Sequence, residues 1–122
     1  MTPSLLLAVA LAGGVGAVLR WGLELAVTRW AGPGFPWGIL LVNVTGSFAL
    51  GVVSGALGSS ELATVLGTGL LGGYTTFSSV AAMTALMLQR RLVAAALFNA
   101  LGSLVLCVLT AILGVALGTA LR

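Results

Sequence analysis

The sequence has no histidine, no lysine, a single cysteine at Cys107 and only two acidic residues, Glu24 and Glu61. These absences leave no set of side chains for a metal cluster or a Ser-His-Asp triad, so enzymatic activity is not expected. One cysteine offers no disulfide and says nothing about redox compartment. Charge is also scarce: 6% of the 122 residues are charged, and the net charge of +3 comes from five arginines against two glutamates. The arginines are scattered at helix ends and not clustered, so nucleic-acid binding has little support.

What the sequence has instead is apolar length. With 60% hydrophobic residues there is too little polar surface to cover a soluble globule. Four segments, Ser4 to Val27, Trp37 to Leu57, Leu62 to Leu88 and Leu92 to Leu121, are each long enough to cross a bilayer. The expectation is an all-α integral membrane protein, one four-helix transmembrane domain over residues 1–122. The first segment runs into Arg20 without a small-residue cleavage pattern and reads as a retained helix, not a removable signal.

The third segment carries the run Gly72-Gly73-Tyr74-Thr75-Thr76-Phe77-Ser78. Leu62 to Leu71 is about ten residues, roughly 15 Å of helix, so a break there falls near the middle of a ~30 Å hydrocarbon core. Two glycines permit dihedrals closed to other residues, and Thr75 or Thr76 can cap a second half-helix. Loose backbone at that depth is tolerated only where protein, water or an ion satisfies it. Carbonyls ending the first half-helix suit a cation; amides and hydroxyls opening the second suit an anion. The alternative is a glycine kink that eases packing, with the hydroxyls bonded back to their own helix.

Asn43 and Ser47 lie four apart on the second segment, and Asn99, Ser103 and Cys107 repeat that spacing on the fourth. Each set occupies one helix face, either bonding between helices or lining a narrow water path. Arg20 and Glu24, also four apart, are spaced for an ion pair, with Arg20 either snorkelling or facing a vestibule. Gly51/Gly55 and Gly114/Gly118 allow close helix approach, within the chain or between copies. Trp21, Trp30 and Trp37 read as an interfacial belt. Arg29, Arg90 and Arg91 oppose Arg122 and the amino terminus by only two or three charges, a bias slight enough for insertion both ways up.

Three stretches, Gly13 to Trp21, Trp37 to Phe48 and Gly72 to Ser78, together resemble the CrcB/Fluc fluoride channels. The resemblance covers all four segments, and the Gly-Gly-x-Thr-Thr-Phe-Ser break in a four-helix chain of this size is its most specific part. It implies an antiparallel, dual-topology homodimer in the inner (plasma) membrane, exporting fluoride passively through two pores around a central structural sodium ion. It also implies roles: the carbonyls of Gly72 and Thr75 for sodium, with Asn43, Phe77, Ser78, Asn99 and Ser103 along the fluoride pathway. Thr76 is added as a donor and Arg20 as a vestibule attractor. A phenylalanine edge is weakly positive, which suits a small anion.

The chain departs from the family at Val80, where a second phenylalanine is usual. Either one ring per path suffices, or the chain is half of a heterodimer. A rival from another class is a small dual-topology drug/proton antiporter. That mechanism needs a mid-membrane carboxylate, for which Glu24 near Arg20 is the sole candidate.

Overall fold

A computed structural model describes residues 1–122. The chain is all-helical, with four candidate membrane-spanning helices: Pro3–Ala31, Trp37–Leu57, Glu61–Gln89 and Val93–Ala120. We call the first two α1 and α2. The third span comprises α3 (residues 61–74) and α4 (Ser78–Gln89), and the fourth is α5 (Val93–Ala120).

The boundaries follow from local chemistry. Thr2 caps α1, its Oγ1 accepting from the Leu5 amide, and Pro3 occupies the first turn where no amide is needed. Ser60 caps α3 through Ala63, with Glu61 in the first turn where the helix dipole favours negative charge. Gly32 and Gly58 end α1 and α2 at φ of +82° and +57°, a region open to glycine without strain.

Packing is a matter of glycines. A Cβ on Gly51 would fall on the Ala111 carbonyl, one on Gly114 on the Phe48 carbonyl, one on Gly118 on the Val52 carbonyl, and one on Gly55 within 2.6 Å of the Val115 carbonyl. The two glycine pairs therefore face each other, and α2 and α5 lie backbone to backbone within one chain. Of the two readings open for these pairs, intrachain packing is the one realised. On the other side α1 packs on α3, with Gly16 against Leu70 and Tyr74 and Gly73 against Gly13.

The third span departs from the expected break. Gly72 and Gly73 are helical, Gly72 at an ordinary φ of −62°, so no unusual dihedral is used there. Glycine is needed at 73 because α1 leaves no room for a side chain. The chain leaves the helix two residues later: Thr75 is extended (φ −85°, ψ 160°) and regular helix resumes at Ser78. Ahead of it, Val65–Leu71 is wound as a π-helix, and Phe98–Gly102 of α5 is wound likewise.

Only 15 of the 122 residues are buried, and large apolar side chains on every helix stay exposed, so most of the apolar surface is satisfied by something outside the chain. That is the behaviour of an integral membrane protein.

Candidate functional site

The backbone freed at Thr75–Phe77 is held by α2. Asn43 is 7% exposed; its Nδ2 donates to the Thr76 carbonyl at 2.8 Å, and its Oδ1 accepts the Thr76 amide at 2.8 Å. The two bonds satisfy both groups of one peptide residue, which matters because an unpaired buried amide or carbonyl costs about 1–3 kcal/mol. Thr45 Oγ1 pairs with the Tyr74 hydroxyl at 3.0 Å, and Gly46 leaves space for the Thr75 methyl. Asn43, Thr45 and Gly46 of α2 thus all touch the interruption or the helix end beside it.

The restart of helix has its own cap. Thr76 Oγ1 accepts the Ser79 amide at 3.2 Å and donates to Ser79 Oγ at 3.1 Å, with Ser78 Oγ at 3.3 Å. Thr76 is therefore the capping threonine. Thr75 instead donates its hydroxyl to the Leu71 carbonyl at 2.9 Å. The main-chain carbonyls of Gly72, Tyr74 and Thr75 receive no hydrogen bond from the chain, whereas the Gly73 carbonyl accepts Arg20 Nε at 3.4 Å. Arg20 also pairs with Glu24, Nη1 to Oε1 at 3.6 Å.

A cleft of about 290 Å³ opens beside the interruption, between α2, α4 and α5. Of the expected pathway residues, Asn43, Thr76, Phe77 and Ser103 line it, joined by Ser47, Val80 and Cys107. The Phe77 ring is 85% exposed and has no cover within its own chain. Ser103 is 5% exposed, and its Oγ has no partner.

Two expected pathway residues lie elsewhere. Ser78 is exposed on the helix restart and is not part of the cleft wall. Asn99 is fully buried behind the wall, its Nδ2 donating to Thr84 Oγ1 at 2.9 Å and to the Val80 carbonyl at 3.3 Å. The cause is the π-helical turn Phe98–Gly102: with more residues per turn, Asn99 does not share a face with Ser103 and Cys107 as four-residue spacing in an α-helix requires. Thr84 Oγ1 spends its own proton on the Val80 carbonyl at 2.7 Å, so both Asn99 partners are acceptors and the atom left free is the Oδ1 acceptor.

Sequence reasoning missed Ser79 and Thr84, which hold Thr76 and Asn99, and it missed the pairing of Thr45 with Tyr74. For Ser79 the available signal was its place three positions after Thr76; Thr84 stands alone among apolar neighbours and offered none. Arg20 does not reach the cleft. The antiporter reading loses support, since Glu24 is spoken for by Arg20 and stands apart from the cleft.

The model of the CrcB-like protein family, described as Camphor Resistance (CrcB), matches residues 7–115. The chain is 48% identical over 120 residues to a fluoride-specific ion channel FluC of Thermus thermophilus, covering 94% of each chain. It is 44% identical to the protein of that name from Novosphingobium aromaticivorans, covering 89% of this chain and 91% of the relative. It is 45% identical to fluoride-specific ion channel FluC 1 of Leifsonia xyli, covering 97% and 89%. These relatives are named as channels and not as enzymes. With nearly its whole length matched by the family model and by relatives well above 30% identity, this multi-pass membrane chain belongs to the CrcB family.

Proposed function

We propose that the chain is a passive, selective fluoride channel of the inner (plasma) membrane, working as an antiparallel homodimer. The observation that carries the reading is the cleft, where the Asn43 amide, the Thr76 restart, the exposed Phe77 ring and the unpartnered Ser103 hydroxyl converge. Fluoride is small and strongly hydrated, so a conducting path must replace its water with donors in close succession. Asn43 keeps one Nδ2 hydrogen beyond the bond to Thr76, and Ser103 keeps its hydroxyl proton. Thr76 contributes at the helix restart, where the dipole favours an anion. Ser78 stands beside the path on the exposed side, and Asn99 supports its wall. Arg20 is paired with Glu24, so the field it lends a vestibule is that of an ion pair and weak.

Sodium fits the opposite pole. The Gly72 and Thr75 carbonyls, at the negative end of α3 and free of hydrogen bonds, are the oxygen donors a hard cation takes. When bound, such an ion would supply fixed positive charge that holds the interrupted backbone of two copies together; no transport step passes through it. The interruption follows 14 helical residues and precedes 12 in a 29-residue span, which supports a position near the bilayer midplane. An exposed Phe77 in a chain of only four spans supports a second copy, whose surface would take up the ring.

Val80 favours a second reading, a half-channel that needs a partner chain, because its side chain faces the cleft where the family's other ring would stand. Flux from liposomes reconstituted with the purified chain separates the readings. Fluoride efflux without added partner supports the homodimer, silence that is relieved by co-expression with a two-ring relative supports the half-channel, and cation-coupled proton flux overturns both.

A further inference from the structure

The Arg20 guanidinium is held at two points. Nε donates to the Gly73 carbonyl, 53 positions along the chain, and Nη1 pairs with Glu24 Oε1 at 3.6 Å. Glu24 Oε1 is buried and accepts no hydrogen bond, so the ion pair is its compensation. Its backbone is fixed as well: α2 lies so close that a Cβ at Gly38 would come within 2.8 Å of the Glu24 Cα. Gly73 sits between Gly72 and the pair Tyr74–Thr75, and the carbonyls on both sides of it are free, those of Gly72 and Thr75 among them. A guanidinium on the middle carbonyl and a sodium ion on its neighbours are two cations at one helix end, which itself carries only about half a unit of negative charge. Unbalanced, the arginine repels the ion.

We infer that Glu24 is a positioning residue that sets the sodium affinity of the Gly72 and Thr75 carbonyls, by cancelling the field of the Arg20 guanidinium that the fold holds on the Gly73 carbonyl. The inference rests on the sodium reading above. It makes Arg20 a cap for the end of α3 and Glu24 the charge that keeps the cap from excluding the ion.

The test reads sodium binding through stability and not through flux, because an ion that binds only the folded dimer raises its Tm with concentration. Tm of the purified full-length chain is followed against sodium at constant ionic strength, with N-methylglucamine as the replacement cation. For Glu24→Gln the sodium midpoint should move up by about tenfold, the scale of one nearby unit charge in a partly screened medium. For Arg20→Gln with Glu24 intact it should move down. The double variant should return towards the wild-type midpoint, although Tm falls at every sodium concentration because Gly73 loses its donor. A purely structural role would lower Tm in all three variants without moving the midpoint, and that result overturns the inference. So does a double variant displaced as far as Glu24→Gln alone. If Glu24→Gln does not fold, Arg20→Gln decides the question, and an unchanged or raised midpoint overturns the inference. A monodisperse wild-type dimer whose Tm ignores sodium sinks the sodium reading itself, and this inference with it.

Discussion

Asn43 answers two demands with one amide: it closes the backbone that Thr76 leaves open, and it faces the cleft. Asn43→Asp keeps an acceptor for the Thr76 amide but turns the other oxygen towards the Thr76 carbonyl and adds negative charge to the path. Fluoride efflux should fall by more than about tenfold, equivalent to about 1.4 kcal/mol on the barrier. Stability should fall too, by about 1–3 kcal/mol for the lost bond. Parallel measurement of efflux and Tm separates the two effects, and near-normal efflux from a folded variant removes Asn43 from the path.

Phe77 and Val80 are tested as a pair. Phe77→Ile keeps bulk and loses the positive ring edge, so efflux should fall by more than about tenfold. Val80→Phe places a ring against a cleft of about 290 Å³, which has room for it, and should raise efflux if the missing ring limits the channel. Overpacking, typically about 1–3 kcal/mol, is the opposing effect, so a monodisperse dimer peak must accompany the flux measurement. Efficient wild-type efflux with a neutral or harmful Val80→Phe means that one ring per path is enough.

At the scale of elements, two glycines within apolar spans behave oppositely. A Cβ at Gly114 would land on the Phe48 carbonyl of α2, whereas one at Gly22 meets nothing within 4 Å. Gly114→Ala should therefore force α2 and α5 apart and lower Tm, while Gly22→Ala should be neutral or stabilise α1 by up to about 1 kcal/mol. Equal effects would mean that the α2/α5 contact is not as close as its backbone distances imply.

The same contrast marks what the sequence could and could not convey. Hydropathy reports the length of chain that lipid rewards, and the expected Trp37 to Leu57 is the observed α2, with the other spans displaced by a few residues. The polar contacts of Asn43 were foreseeable, because an amide in an apolar span must find partners. The placement of Asn99 was not: periodicity assumes 3.6 residues per turn, and nothing in Phe98–Gly102 announces a wider one. Nor could glycine at 73 say whether it served dihedral freedom or close packing, since both require the absence of the same atom.

For the whole molecule, the fold sorts the charges by end. Arg122 approaches Gly58, its guanidinium 3.7 Å from where a Cβ would stand, so the carboxyl terminus lies at the α2–α3 turn. Arg29, at the close of α1, and Arg90 and Arg91, at the α4–α5 turn, belong to the other end, near the cluster of Phe35, Trp37 and Phe98 with ring centroids 4.7 and 5.4 Å apart. Insertion follows the surplus of basic residues near short loops. Replacing Arg90 and Arg91 with Gln should shift the chain towards the opposite orientation, read by reporters fused to the carboxyl terminus. If function requires both orientations, a variant forced into one should lose fluoride efflux while still inserting, and a fixed-orientation chain that conducts normally would end the dual-topology reading.

The two-way bond between Asn43 and Thr76 also has a consequence in time. A lone third span leaving the translocon has no α2 beside it at this depth, and bare peptide groups in hydrocarbon favour regular helix. The extended residue at Thr75 therefore becomes tolerable only once α2 has docked and offered its amide, in the second stage of membrane folding when inserted helices associate. On the fluoride-channel reading proposed above, a chain whose third span has not yet met α2 keeps that span continuously helical, so the interruption that would admit an ion arises only with the packing that surrounds it.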